Sequence, residues 1–195
     1  MMIQTRRDFL KKAGSLSLSA LLLPQIAEAA KLKKFGIQLY TLRATLDKDA
    51  KNLLTQLAAS GYKEIEAYGI DSGKFHGFTP VEFKKIVDDL GMKLISAHAM
   101  PMVAFEKDAK ASLDELVPNW KKAVQTANEA GLKYITCPWW QEKHRQSGDD
   151  YKKTAEILNK LGEYSASQGL KFAYHNHAFE FDVKDGIMLY DTMLA

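Results

Sequence analysis

The sequence predicts an α/β fold in which a parallel sheet wrapped by helices curls into part of a (β/α) barrel. Three observations predict it. First, Gly61-Tyr-Lys, Gly91-Met-Lys, Gly131-Leu-Lys and Gly169-Leu-Lys each follow a helical pattern and precede an apolar run, a repeated helix stop and strand start. Second, strands and helices alternate strictly with short connections, which calls for parallel strands joined by right-handed crossovers. Third, the first strand runs into Tyr40-Thr-Leu-Arg43 and no G-x-G-x-x-G turn occurs. An open nucleotide-binding sheet usually carries that turn, so the barrel is favoured over the doubly wound sheet.

The elements follow in order. Phe35-Gly-Ile-Gln-Leu-Tyr40 alternates as a first strand, and Asp49 to Ser60 places Leu53, Leu54 and Leu57 at helical spacing. Glu64 to Tyr68 is the second strand. Thr79 is the N-cap of the next helix, with Pro80 at its first position and Glu82 in its first turn; Phe83, Ile86, Val87 and Leu90 form its apolar stripe. Leu94 to His98 is the third strand and Ser112 to Ala130 the third helix. Tyr134 to Trp140 holds the fourth strand and its exit. Asp149 to Ser167 carries Tyr151, Ala155, Leu158, Leu161 and Tyr164 on one helical stripe, and Lys171-Phe-Ala-Tyr-His-Asn-His-Ala-Phe-Glu-Phe181 reads as a fifth, buried strand.

Side chains alternate along a strand, so Ala173, His175 and His177 share one face of that last segment, and two imidazoles can meet one ion or substrate. Gln38, Glu66, Ser96, His98 and Thr136 fall on the corresponding small or polar face of the other strands. In a barrel such residues gather at the mouth formed by the carboxyl ends of the strands. A complete eight-fold barrel needs roughly 250 residues. The 195 residues therefore predict an incomplete (β/α)8 TIM barrel of about five units, an N-terminal portion lacking strands six to eight.

Residues 1–29 read as a removable twin-arginine signal: Thr5-Arg6-Arg7-Asp8-Phe9-Leu10-Lys11-Lys12, an uncharged Leu- and Ser-rich stretch to Ile26, and the small-x-small site Ala27-Glu28-Ala29. The mature domain then spans 30–195, with the periplasm as its destination and the twin-arginine export machinery as a partner. The apolar stretch is too short for a permanent membrane span. With Arg6, Arg7, Lys11 and Lys12 set against Asp8 and Glu28, the mature net charge is about +1, no footprint for nucleic acid. Cys137 is the single cysteine, which excludes an internal disulfide and a thiolate metal cluster. A composition of 46% hydrophobic and 26% charged residues suits one globular domain, and homo-oligomerisation stays open.

At Phe35-Gly-Ile-Gln-Leu-Tyr-Thr-Leu-Arg43, Gly61-Tyr-Lys-Glu-Ile-Glu66, Ser96-Ala-His98 and Tyr174-His-Asn-His-Ala-Phe-Glu-Phe181, the chain resembles the xylose isomerase-like TIM barrel family of sugar phosphate isomerases and epimerases, in its Tyr-His-Asn-His branch. The tail from Leu189 to Leu194 resembles the start of the helix that precedes the family's sixth strand. The resemblance implies a small carbohydrate substrate and a divalent metal (Mn, Mg, Co or Zn) held by side chains of the fifth to eighth strands. By position His175 replaces the family's first ligand, a glutamate, a change that favours a borderline ion. The site is expected to be incomplete here, and the chain to have little activity alone.

The expected chemistry is proton abstraction next to a carbonyl through an enediolate. A dehydratase or lyase acting on an oxidised sugar or inositol, a non-catalytic periplasmic sugar-binding protein and an inactive truncated remnant are the alternatives. His175 is the metal candidate, or else a hydrogen-bonded residue of the mouth. Substrate-binding candidates are Glu66, His98, His177, Tyr40, Trp139 and Trp140; Glu66 otherwise sits in a buried ion pair with a Lys or Arg, and the tryptophans otherwise pack. No residue is assigned as the proton acceptor. Glu180 lies beyond the strand and braces its loop, while His76 and His144, in polar loop sequence, are expected at the surface.

Overall fold

The computed structural model describes residues 34–101 and 119–195. The signal expected over residues 1–29 and the start of the third helix at Ser112 lie outside the described residues. The unit from Gly36 onwards is built on five parallel strands: β1 Gly36–Gln38, β2 Glu64–Tyr68, β3 Lys93–His98, β4 Tyr134–Cys137 and β5 Lys171–Tyr174, paired in the order β1-β2-β3-β4-β5. Helices α1 Ala50–Ala59, α2 Pro80–Asp89, α3 Trp120–Glu129 and α4 Gly148–Ser167 alternate with them. This is the partial (β/α) barrel the sequence predicts.

The Gly-x-Lys repeat marks one structural device used after each of these four helices. Gly61, Gly91, Gly131 and Gly169 all have positive φ, and each donates its N–H three residues back, as Gly169 does to Ala166 at 2.9 Å. The following residue donates five back: Tyr62 to Leu57, Met92 to Val87, Leu132 to Ala127 and Leu170 to Ser165. These bonds satisfy carbonyls that a helix end leaves open, and only glycine takes the left-handed position without a Cβ penalty. Met92, Leu132 and Leu170 are then buried, and Lys93, Lys133 and Lys171 make the first ladder bonds of the next strand. A sequence repeat thereby becomes a repeated turn that lays each new strand beside the last.

Helix starts agree equally well. Thr79 and Glu82 form a capping box, with Glu82 N–H donating to Thr79 Oγ1 at 3.3 Å and Thr79 N–H to Glu82 Oε2 at 2.9 Å. Ser147 and Asp150 do the same for α4. Leu53, Leu54, Leu57, Phe83 and Val87 are buried as expected, whereas Ile86 and Leu90 pack only at the margin of the core.

Three features depart from the expected elements. The first strand is shorter, because the Gln38 side chain accepts the Tyr40 N–H and turns the chain into a 3-10 segment at Leu39–Leu42, followed by a helical turn at Arg43–Leu46. The fifth strand stops at Tyr174; His175 adds one more bond to Cys137 O at 3.0 Å, and the chain then enters a 3-10 turn at Ala178–Phe181. A hairpin of β6 Val183–Lys184 and β7 Ile187–Met188 follows, which sequence reading missed although its signal, Asp185-Gly186, is the usual pair for a turn needing two positive φ values. Asp185 Oδ2 accepts the Gly148 N–H at 2.9 Å, tying the hairpin to the start of α4. The last element is α5, Leu189–Leu194. Among the described residues no helix is long and apolar enough to cross a membrane.

Candidate functional site

The carboxyl ends of β1 to β5 surround a cleft of about 560 Å³ lined by Tyr40, Tyr68, His98, Trp139, His175 and His177, with Gly69, Met100 and Pro138. A concave, largely apolar cavity with a few converging polar groups is the default place to look for a ligand. Five of the candidates read from the sequence meet there: Tyr40, His98, Trp139, His175 and His177. Two do not. Trp140 is buried at 1% exposure and lies outside the lining, which supports the packing reading of that residue. Glu66 lies outside the lining too, hydrogen-bonded to Ser96 and 3.0 Å from His98 Nε2.

The layer joining these groups is held by hydrogen bonds across four strands. Gln38 Nε2 meets His98 Nδ1 at 3.1 Å, and His98 Nε2 lies 3.0 Å from Glu66 Oε1. Ser96 Oγ donates to Glu66 Oε2 at 2.6 Å and meets Thr136 Oγ1 at 3.1 Å. The partner of Glu66 is thus an imidazole and not the lysine or arginine considered above. Burial pushes the Glu66 carboxyl up, but its interactions with His98 and Ser96, and with the nearby His175 ring, outweigh it and hold the carboxyl below its usual range.

A register shift between Ile65 and Glu66 makes this layer possible. Ile65 pairs with Leu94, yet Glu66 pairs with Ser96, so one residue of β3 is skipped. Strict alternation would put Leu94 and Ser96 on the same face; the bulge instead sends Leu94 with Ile65 to the apolar side and Ser96 with Glu66 to the polar one.

The loop after β5 is equally constrained. Glu180 has no exposed surface and accepts the Tyr174 hydroxyl and the His177 backbone N–H, both at 2.6 Å. Burial and this carboxylate push the Tyr174 hydroxyl far up. The clamp brings the His175 and His177 rings to 4.8 Å between centroids, with His98 edge-on to His175 at 5.3 Å and Trp139 edge-on to His177 at 4.7 Å. The bracing expected of Glu180 is therefore present. Burial, helped by the neighbouring His98 and His177 rings, depresses the His175 pKa and favours its neutral ring.

His76 corrects an expectation. Its side chain is 5% exposed rather than at the surface, packed against Tyr68 at 4.6 Å between centroids, with a positive φ of 48°. The apolar neighbours Tyr68 and Phe83, distant in sequence, draw it in. His144 is half-buried. Burial lowers the pKa of both, that of His144 to about 4. The unfolded chain then binds protons that the folded chain refuses, so stability rises with pH in this window. Lowering the pH from above about 6.5, the ordinary histidine value, is expected to reduce the urea midpoint progressively. Loss of the Glu66 contribution follows as pH falls through its depressed pKa, below about 4.3. A midpoint that is flat or rising between pH 7.5 and 5 contradicts this account.

Residues 54–187 match the family described as xylose isomerase-like TIM barrel. The chain belongs to that family. A sugar phosphate isomerase/epimerase from Parabacteroides distasonis ATCC 8503 is 31% identical with a TM-score of 0.72, over 83% of this chain and 60% of that one. A second protein of that name from the same strain is 28% identical with a TM-score of 0.70, over 83% and 64%. The IolI protein solved with a bound zinc atom shares the fold at 17% identity and a TM-score of 0.53, over 72% of this chain and 50% of that one. The chain thus spans about 60% of the length of the solved isomerase/epimerase relatives. No curated protein matches it.

Membership in the xylose isomerase-like family raises the question of a metal. Among the described residues no group of three His, Cys, Asp or Glu side chains is placed to hold one. His175, which faces the cleft with a depressed pKa, is suited to be one ligand, and the described residues do not complete a site around it.

Proposed function

We propose that the cleft takes a small carbohydrate and that the protein is a metal-dependent sugar or sugar phosphate isomerase or epimerase, moving a proton at the carbon next to a carbonyl through an enediolate. The observation that carries this reading is the meeting of aromatic walls, two neighbouring imidazoles and a hydrogen-bonded carboxylate layer at the carboxyl ends of the strands, in a family in which two of the similar solved proteins are called sugar phosphate isomerase/epimerase. Tyr40 and Trp139, both partly exposed, offer ring faces for the apolar side of a sugar. His177 sits between Trp139 and His175, where it can orient a sugar hydroxyl. Glu66, committed to His98 and Ser96, orders the floor beneath the ligand and is a poor proton acceptor.

A bound divalent ion would polarise the substrate carbonyl and make the neighbouring C–H acidic. His175 is the residue proposed to ligate it, in line with the zinc bound by the IolI protein. The test is wash-in of deuterium next to the carbonyl of aldoses, ketoses and their phosphates, with Mn, Mg, Co or Zn supplied. In a chain carrying all eight strands, exchange is expected with the unsubstituted protein and its loss, with loss of metal in a calorimetric titration, in His175→Ala. Metal binding unchanged by that substitution sinks the ligand role. Among the described lining residues there is no carboxylate to take the proton, which favours a second reading, a carbohydrate-binding protein without turnover. Sugar binding with no exchange at any metal supports it.

A further inference from the structure

We propose that Gln38 is a positioning residue that fixes the tautomer of His98 and, through it, the arrangement of Glu66 and His175. The argument starts at a group with no choice. The Tyr40 backbone N–H can only donate, and it meets the Gln38 side-chain oxygen. The amide orientation of Gln38 is thereby set, with its NH₂ towards His98 Nδ1 at 3.1 Å. An amide nitrogen donates and does not accept, so Nδ1 of His98 must be the bare nitrogen and the ring proton must sit on Nε2. That nitrogen lies 3.0 Å from Glu66 Oε1.

The other side of Glu66 runs in the same sense. Ser96 has one hydroxyl proton and gives it to Glu66 Oε2 at 2.6 Å, so the 3.1 Å contact with Thr136 is filled by the Thr136 hydroxyl donating to Ser96. Both arms, from Tyr40 and from Thr136, direct their donors inward to one carboxylate. With Nδ1 held by Gln38 and Nε2 set beside Glu66, rotation of the His98 ring would break the Gln38 bond, and the ring stands at 89° to that of His175. His98 consequently offers the cleft its ring edge rather than a free nitrogen, and Gln38, which is not among the lining residues, controls that edge from β1.

The inference rests on the proposed carbohydrate chemistry only for its effect on turnover; the tautomer itself is a property of the folded chain. The experiment is a nitrogen-15 spectrum of the histidine rings in the full chain near pH 7.5, with His98 assigned through His98→Gln. The expected result is a bare Nδ1 and a protonated Nε2 for His98. Gln38→Glu replaces the donor by an acceptor and is expected to put a proton on Nδ1, with weaker carbohydrate binding than Gln38→Asn, which keeps a donor. A protonated Nδ1 in the unsubstituted protein overturns the proposal without recourse to any variant. So does a folded Gln38→Glu protein whose Nδ1 stays bare. A bare Nδ1 in a protein that binds no carbohydrate supports the proposal and counts against the carbohydrate reading alone.

Discussion

Replacing Glu180 by alanine is expected to cost about 3 kcal/mol of stability, because two buried donors lose a charged acceptor at once. The Tyr174 hydroxyl and the His177 N–H both reach this carboxylate at 2.6 Å, and its side chain has no exposed surface from which water can substitute. Urea unfolding at constant m-value reads the loss. Glu180→Gln, which keeps an oxygen for one donor and turns an NH₂ towards the other, is expected to fall between wild type and alanine. The substitution also releases the turn that holds His175 and His177 at 4.8 Å, so the ring contacts between the two histidines are expected to weaken in the alanine variant even where it stays folded. Alanine and wild type unfolding at the same urea concentration contradicts the clamp.

Replacing Trp120 by alanine is expected to cost about 4 kcal/mol, in the range of large aromatic truncations that leave a cavity. Trp120 is fully buried in α3, donates its indole N–H to Ser165 in α4 at 3.2 Å and stands edge-on to Phe172 in β5 at 5.8 Å between centroids. One side chain therefore joins two helices to the strand that leads to His175. Trp120→Phe keeps much of the volume and removes the N–H. Ser165 still donates to Leu161 O at 2.7 Å, so that change is expected to cost about 1 kcal/mol. Equal losses for both variants would show that the hydrogen bond and not the packing dominates.

Much of the architecture was legible because it depends on neighbours in sequence. The Gly-x-Lys repeat encodes helix ends whose hydrogen bonds span at most five residues. The Thr79–Glu82 box is read from two residues three apart. The two-residue period places Gln38, Glu66, His98, Thr136 and His175 on one side of the sheet. The Asp185-Gly186 hairpin was legible by the same logic, although the sequence reading assigns no element between Phe181 and Leu189.

What stayed hidden depends on residues far apart in the chain. Whether Trp140 packs or lines a cleft, and whether His76 is wet or buried, is decided by the side chains that arrive from other elements. The skipped residue in β3 leaves no local mark, since a bulge is a relation between two strands. By itself, then, the sequence determined the order of strands and helices, their ends and the polar face of the sheet, all set by hydrogen bonds and periodicities within a few residues. Only the tertiary structure decided that Glu66 pairs with His98 and Ser96, that Glu180 clamps the turn carrying His175 and His177, and that Gln38 directs the whole layer. Those contacts form between strands, or around a turn whose direction the strand period does not foretell.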